Sequence, residues 1–335
     1  MELRRSLMRT SLVLFPVLLV SAALTGCGDD NVSAPNDGCT GHLCGGGSAS
    51  LTDPEGGNVI FEYIYFDHDL STAFGLPPGV TTVNRVMGYF MDNQTPTDNP
   101  LPAAGVCNNL ESTKGWPLYV GTPHTDLDMG SLTITGANGA GTTYADLIPN
   151  MGAGTDSIGR KHDIYYQTIK PGVDDYIKTD QAYDVAWGGA GTIPATTYTG
   201  GLFMPATFQV SDPGLEDNSG WTAGVDKTVH WTPATSANLP AGDEVLGVTW
   251  LVDAAGSPTH MCPTAHSAGQ FTIPGSALTE YKAIATARGT PTNKMILLRN
   301  AIVHHVVRLP NGENDNKRRL DLLSVMCWAQ LVDLN

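Results

Sequence analysis

The chain has 335 residues, of which 33 are acidic and 18 are basic, so its formal net charge is −15 at neutral pH. A protein this acidic repels nucleic acid and anionic lipid surfaces, which argues against nucleic-acid partners. The 38 glycines and 22 prolines, with only 15% charged residues, favour many turns and few long helices.

The first 26 residues have the pattern of a secretory leader that is removed on export. Three arginines precede an apolar run from Leu12 to Leu24, which is too short for a comfortable membrane span. The run ends in Leu24-Thr25-Gly26-Cys27, which resembles the lipobox of bacterial lipoproteins. The resemblance implies cleavage before Cys27, attachment of acyl chains such as palmitate to that cysteine, and anchoring through lipid alone. Gly28, the residue after the cysteine, favours the outer membrane in that family.

Composition divides the remaining chain into a tether and two folded parts. Residues 27–56 are mainly Gly, Ser, Asn, Asp and Pro, which bury too little apolar surface to order the chain and predict a flexible, disordered tether. Beyond it, we predict an all-β fold of two antiparallel β-sandwich units, a β-rich domain at 57–204 and a second domain at 205–335. The order of one strand, two Trp-bearing strands and a Cys-bearing segment in the second domain resembles bacterial immunoglobulin-like modules. That resemblance implies an immunoglobulin-like sandwich.

Strand-like runs follow one another at short spacing through both predicted domains. The strongest is Asn58–Asp67, which is aromatic and β-branched over ten residues. Other predicted strands are 81–91, 117–121, 131–136, 161–169, 182–187, 206–213, 227–233, 245–252, 270–274, 295–309 and 320–334. The last two flank the turn-rich Pro310–Asn316 and predict a terminal hairpin. One short helix is predicted at Ser276–Arg288, where the apolar residues share a face and Gly289 can end the helix.

Five cysteines besides the lipobox cysteine lie in the exported part of the chain. An oxidising compartment favours disulfides between them. Cys39 and Cys44 are close enough in sequence to close a small loop, while Cys262 and Cys327 both lie in strand-like contexts. These four are the disulfide candidates, and Cys107 is predicted to be the unpaired cysteine.

One cluster of oxygen and imidazole side chains is a candidate metal site. Its members are Asp67, Asp69, His124, Asp126 and Asp128. The oxygen ligands suit Ca²⁺, whereas the histidines suit Zn²⁺ or Cu²⁺. The alternative is that these residues form Asx turns and solvated strand ends.

A second candidate metal site combines His260, Cys262 and His266. Soft sulfur beside imidazole is the ligand set that copper selects. This hypothesis requires Cys262 to be reduced, and a disulfide from Cys262 to Cys327 removes that ligand.

No stretch forms a recognisable catalytic motif. Gly136–Gly141 follows a strand but lacks the spacing of a nucleotide-binding loop, so it predicts a hairpin turn. His304 and His305 fall on opposite faces of a strand and are not a chelating pair. A glycosidase-like pair of carboxylates stays open, because one sequence does not show which carboxylates face each other.

We therefore expect a lipid-anchored lipoprotein of the outer membrane with a non-catalytic binding or structural role. Its expected partners are the membrane, through the lipid anchor, and a protein or glycan of the cell envelope. No organic cofactor is predicted, and a metal ion is the one cofactor that the clusters suggest. The alternatives are an envelope metal-binding protein and an exported hydrolase.

Overall fold

The chain folds into β-strands over almost its whole described length. The computed structural model describes residues 55–66, 70, 80–92, 105–110, 125–136, 143–147, 150–155, 161–171, 177–191, 193–213, 220–233, 235–308 and 318–335. The predicted leader, the lipobox and the tether up to residue 54 lie outside these ranges. Among the described residues, no helix has the length and apolarity that crossing a membrane requires.

Seventeen strands and one helix make up the described elements. The strands are β1 (Glu55–Phe66), β2 (Thr82–Asp92), β3 (Asn108–Asn109), β4 (Thr125–Asp126), β5 (Leu132–Gly136), β6 (Thr143–Leu147), β7 (Asn150–Thr155), β8 (Lys161–Pro171), β9 (Gln181–Trp187), β10 (Thr196–Met204), β11 (Gln209–Asp212), β12 (Lys227–Thr232), β13 (Leu246–Val252), β14 (Pro258–Ala265), β15 (Gln270–Ile273), β16 (Lys294–Arg308) and β17 (Arg318–Asp333). The helix is α1 (Gly275–Arg288), and a single 3₁₀ turn spans His266–Ala268. The predicted all-β class is confirmed.

The strands form three sheets. The largest has ten strands in the order β3-β14-β13-β16-β17-β1-β2-β8-β7, with β4 beside β2. A four-stranded sheet has the order β10-β9-β5-β6, and a three-stranded sheet has the order β11-β12-β15. Adjacent strands are antiparallel except for β1 and β17, which run parallel over twelve paired residues from Glu55 with Arg318 to Phe66 with Ala329.

The parallel pair changes how the predicted domains relate to each other. β1 belongs to the part predicted at 57–204 and β17 to the part predicted at 205–335, yet they are neighbours in one sheet. The sequence boundary at residue 205 is therefore not a boundary between sheets. Local patterns did not reveal this, because the pairing joins segments that lie more than 250 residues apart in the chain.

Most predicted elements within the described ranges have a counterpart in the structure. The terminal hairpin is confirmed, since β16 and β17 pair antiparallel from Lys294 with Asp333 to Arg308 with Arg319. Helix α1 is also confirmed and ends at Gly289, whose φ of 69° is a left-handed conformation that glycine adopts easily. The predicted strand at 117–121 lies outside the described residues.

Six of the described strands were not predicted: β3, β4, β6, β7, β10 and β14. The first four have only two to six residues each. In β10, the adjacent Gly200 and Gly201 read as a turn, but the register against β9 shifts between Tyr198 and Leu202, so the extra residues are taken up within the strand. In β14, the prolines at 258 and 263 and the flanking histidines hid the alternation of a strand.

The large sheet has apolar side chains on both faces. Its first face forms one core with the four-stranded sheet, the three-stranded sheet and α1, as in a β-sandwich. That core includes Phe61 from β1, Trp187 from β9, Trp231 from β12 and Leu297 from β16. The second face carries a separate cluster that includes Trp250, and this cluster is also buried. The central strands are therefore apolar on both faces and do not show the simple alternation of β5 or β9.

His305 links the large sheet to the four-stranded sheet. Its Nδ1 lies 2.8 Å from the carbonyl oxygen of Gly201 in β10, and its Nε2 lies 2.8 Å from Oδ2 of Asp243. His305 is buried, whereas His304 on the opposite face is partly exposed. The two histidines therefore point apart, as predicted.

A buried ion pair lies on the second face of the large sheet. Glu62 in β1 and Arg85 in β2 are directly opposite each other, and Arg85 Nε donates to Glu62 Oε2 at 2.8 Å. Neither side chain is more than 3% exposed. Burial raises the pKa of Glu62, and the charge of Arg85 opposes that shift. The pair depends on mutual compensation, because both side chains are buried away from solvent.

We predict that Arg85→Met strongly destabilises the protein, because it leaves the Glu62 carboxylate buried without its cation. The free energy of unfolding should fall by about 3–5 kcal/mol. The double variant Glu62→Leu/Arg85→Met should lose less, since both charges are removed together. Urea unfolding measures all three values.

The exposed ion pair between Lys294 and Asp333 provides a matched control. Its atoms are 2.7 Å apart, but both side chains are about 40% exposed. Lys294→Met should therefore cost about 0–1 kcal/mol. An equal loss for Lys294→Met and Arg85→Met would contradict the prediction.

Candidate functional site

The predicted oxygen-rich metal cluster is described only in part. Asp67, Asp69 and His124 lie outside the described residues. Asp126 accepts hydrogen bonds through Oδ2 from the backbone N–H groups of Asp163 and Ile164. Within the described ranges, no group of three or more His, Cys, Asp or Glu residues is placed to hold a metal ion.

Asp128, the remaining member of that cluster, also bonds within the protein. Its Oδ1 accepts from the backbone N–H of Gly130 at 2.7 Å and from the hydroxyl of Tyr166 at 3.4 Å. Burial and the nearby Asp128 charge raise the pKa of Tyr166, so this phenol stays protonated as a donor. Asp126 and Asp128 therefore stabilise the local backbone of a strand and a turn by accepting hydrogen bonds from N–H groups.

The predicted pairing of Cys262 with Cys327 is wrong. Cys262 forms a disulfide with Cys107, the cysteine predicted to be unpaired, and Cys327 is a buried free thiol. In the large sheet β14 and β17 are separated by β13 and β16, so three strand spacings of about 4.8 Å place them roughly 14 Å apart. Cys262 and Cys327 also belong to the cores on opposite faces. Cys39 and Cys44 lie outside the described residues.

The Cys107–Cys262 disulfide removes the sulfur ligand from the predicted copper site. It also ties the short edge strand β3 to the large sheet, where His260 pairs with Asn109. His260 is buried, with Nδ1 3.1 Å from Thr259 Oγ1 and Nε2 3.4 Å from Glu280 Oε2. Asn109 donates to the same oxygen of Glu280 at 3.0 Å. Burial lowers the pKa of His260 although Glu280 opposes the shift, so the ring is neutral within this network.

His266, the other predicted copper ligand, lies in a different environment. Its ring is stacked near Trp231, with centroids 6.2 Å apart, and meets Phe208 edge-on at 5.0 Å. Burial, reinforced by the positive charge of Arg299, lowers the pKa of His266 to about 3. His266 is therefore uncharged at neutral pH.

Arg299 lies at the centre of the site that the structure defines and the sequence analysis missed. This residue of β16 is fully buried, and its guanidinium carbon lies 3.7 Å from the centroid of the Trp231 ring. Nη1 is 3.4 Å from Thr249 Oγ1 on the neighbouring strand. We call Arg299, Trp231, Thr249, His266, Phe208 and Trp328 the Arg299 cluster.

The cluster is built by the strand registers around Arg299. Thr249 and Trp328 are its direct neighbours on β13 and β17. Gly247 provides the space, because a Cβ atom there would lie 2.0 Å from Nη2 of Arg299. One signal in the sequence could have pointed to this site. Arg299 is a charged residue on the apolar side of the predicted strand 295–309, and Gly247 lies in the predicted strand 245–252.

The electrostatics of the cluster are unusual for a protein core. Burial lowers the pKa of Arg299 to about 9, which still leaves the guanidinium protonated at neutral pH. Among the described residues, no carboxylate forms an ion pair with Arg299. The Trp231 ring compensates part of the charge through a cation–π contact. Nε and Nη2 of Arg299 and Nε1 of Trp328 are buried donors without a hydrogen-bond partner in the described part of the chain.

Comparisons with known proteins give little further guidance. No protein-family model matches the chain, and no curated protein matches it either. Among solved structures, the chain is similar to the yeast delta-COP-I mu-homology domain at 7% sequence identity. The match covers 84% of this chain and 98% of that one, with a TM-score of 0.22. A TM-score this low supports no conclusion about fold or function.

We predict that peptide mapping without reduction recovers Cys107 and Cys262 in one cross-linked peptide pair. Cys327 should be alkylated only after unfolding, because its thiol is fully buried. Cys107→Ala should lower the free energy of unfolding by about 2–5 kcal/mol, since the disulfide closes a long loop. Recovery of a Cys262–Cys327 peptide from native protein would contradict the assignment.

The lowered pKa of His266 predicts that the protein loses stability as the pH falls from about 6.5 towards 3. In this window the unfolded chain binds a proton at His266 and the folded chain does not, so acid favours unfolding. One such group changes the free energy of unfolding by at most about 1.4 kcal/mol per pH unit. Urea unfolding between pH 4 and 7 measures this slope.

The variant His266→Phe should show a shallower slope than the wild type. Phe271→Leu is the matched control, because it weakens β15, the strand that follows the turn containing His266, without removing a titratable group. It should lower stability by a similar amount at each pH. Identical slopes for wild type and His266→Phe would show that His266 does not contribute.

Proposed function

We propose that this chain is an exported, lipid-anchored protein of the cell envelope with a non-catalytic binding or structural role at the outer membrane. The observation that carries the proposal is the Cys107–Cys262 disulfide. Stable disulfides form in oxidising compartments such as the periplasm and are rare in the cytosol. The disulfide thus agrees with the leader-like segment at residues 1–26.

The resemblance to a lipobox supports the anchored part of the proposal. Lipid on Cys27 holds the protein at a membrane through its acyl chains alone. Residues 28–54 then connect the anchor to β1, which begins at Glu55. The folded part faces an aqueous compartment from that tether.

The architecture supports a binding or structural role more than a catalytic role. The described histidines are engaged in packing and in hydrogen bonds between strands, as at His260, His266 and His305. The edge strands β3 and β7 and the loops at the ends of the sheets are the surfaces where a protein or glycan partner is recognised. The copper alternative is weakened because the disulfide occupies Cys262.

We expect Cys27→Ser to abolish acylation and to release the protein from the membrane. Labelling with palmitate and separation of inner and outer membranes measure both effects. Cys44→Ser is the matched control and should keep the label and the outer-membrane location. Wild-type protein recovered in the soluble fraction without label would overturn the anchor.

Crosslinking in living cells tests the binding role separately. We expect the anchored protein to form reproducible crosslinks to a defined envelope protein or glycan. Absence of any such product from cells that contain correctly located protein would count against a binding role. A variant lacking the anchor shows which crosslinks depend on location.

A further inference from the structure

The Arg299 cluster contains an excess of buried hydrogen-bond donors. Arg299 Nε, Arg299 Nη2 and Trp328 Nε1 are all buried and have no acceptor among the described residues. Arg299 and Trp328 are opposite each other on β16 and β17, and both side chains belong to the core of the first face. Directly opposed residues on one face of antiparallel strands are close neighbours. The donors therefore lie in the same core on neighbouring strands, and what they lack is an acceptor.

The two unpaired nitrogens of Arg299 have a particular geometry. Nε and Nη2 form one edge of the planar guanidinium, and their N–H bonds run parallel along it. That edge matches the two oxygens of a carboxylate in a bidentate pair. Nη1, on the other side of the group, is directed to Thr249. We propose that the Arg299 cluster binds one small monocarboxylate with an apolar body, whose carboxylate pairs with this edge of Arg299.

Charge and surroundings select this class of ligand. A single carboxylate neutralises the single charge of Arg299, whereas a phosphate dianion leaves an excess negative charge in the core. His266 is neutral and adds no further positive charge. Trp231 lies against the guanidinium, and Phe208 and Trp328 pack on each other in the same core with ring centroids 6.5 Å apart. Such aromatic surroundings suit a hydrocarbon or aromatic body.

The 3₁₀ turn His266–Ala268 connects the cluster to the surface of the protein. Its carbonyl at His266 accepts from Trp231 Nε1 at 2.7 Å, so the turn contacts the cluster directly. Ser267 and Ala268 are exposed, although His266 is buried. The cluster thus borders an exposed turn, and the ligand reaches the cluster from this side. The inference rests on the proposed binding role but not on the lipid anchor, so the two proposals can fail separately.

The test uses the full mature chain with its disulfide intact, labelled with ¹⁵N-arginine. Benzoate is the probe, with acetate and inorganic phosphate for comparison. We expect the Nε–H resonance of Arg299 to shift and saturate with benzoate and the melting temperature to rise with it. Acetate should act more weakly, because it lacks the apolar body, and phosphate should have no saturable effect.

Two variants separate the site from the rest of the surface. Arg299→Lys loses the bidentate edge and should weaken benzoate binding by about tenfold or more, which corresponds to about 1.4 kcal/mol. Arg288→Lys is the matched control, because Arg288 already pairs with Asp253 at 2.9 Å and should bind benzoate as the wild type does. Should Arg299→Lys not fold, the Nε–H resonance of the wild type is assigned through its contact with the Trp231 ring and still decides the question.

Three results would overturn the inference. The first is a melting temperature and an Arg299 resonance that benzoate does not change. The second is a similar effect of benzoate on Arg299→Lys and the wild type. The third is an Nε–H resonance that has the shift of a carboxylate-bound arginine before any probe is added and keeps that shift after exhaustive dialysis. Arg299 would then already pair with a carboxylate of this chain.

Discussion

The parallel pairing of β1 with β17 is the constraint on which the rest of the structure depends. It places the first described strand beside the last one and so makes one ten-stranded sheet from both ends of the chain. Both smaller sheets and α1 pack on one face of that sheet. Because β1 and β17 lie at the centre and are buried on both faces, loss of their pairing separates β2 and β8 from β16 and β13.

A sheet buried on both faces has consequences for polar groups. Each face contains a charge that has no access to water, and each is compensated in a different way. Glu62 and Arg85 neutralise each other on the second face. On the first face Arg299 rests on Trp231, with two donors left over. The contrast is the reason why Arg299, and not Glu62 or Arg85, is the group for which we propose an external carboxylate.

The disulfide and the helix secure one edge of this sheet. β3 is only two residues long, and Cys107 and Asn109 attach it to β14 and to Glu280 of α1. At the other end of α1, Arg288 pairs with the buried Asp253 after β13. These contacts fix β14, and the turn that follows β14 lies over the Arg299 cluster. The structural role of the disulfide and the proposed ligand site are therefore connected through one strand.

The sequence by itself determined the all-β class, most strand positions, helix α1 and the terminal hairpin, because these depend on local periodicity and on residues such as Gly289. It also supplied the lipobox resemblance, which the described residues do not test. Tertiary structure alone decided the parallel pairing, the partner of Cys262 and the site around Arg299. Each of these joins residues that are distant in the chain, and neither the order of strands in a sheet nor the face that a side chain shares with another strand is encoded in any local pattern.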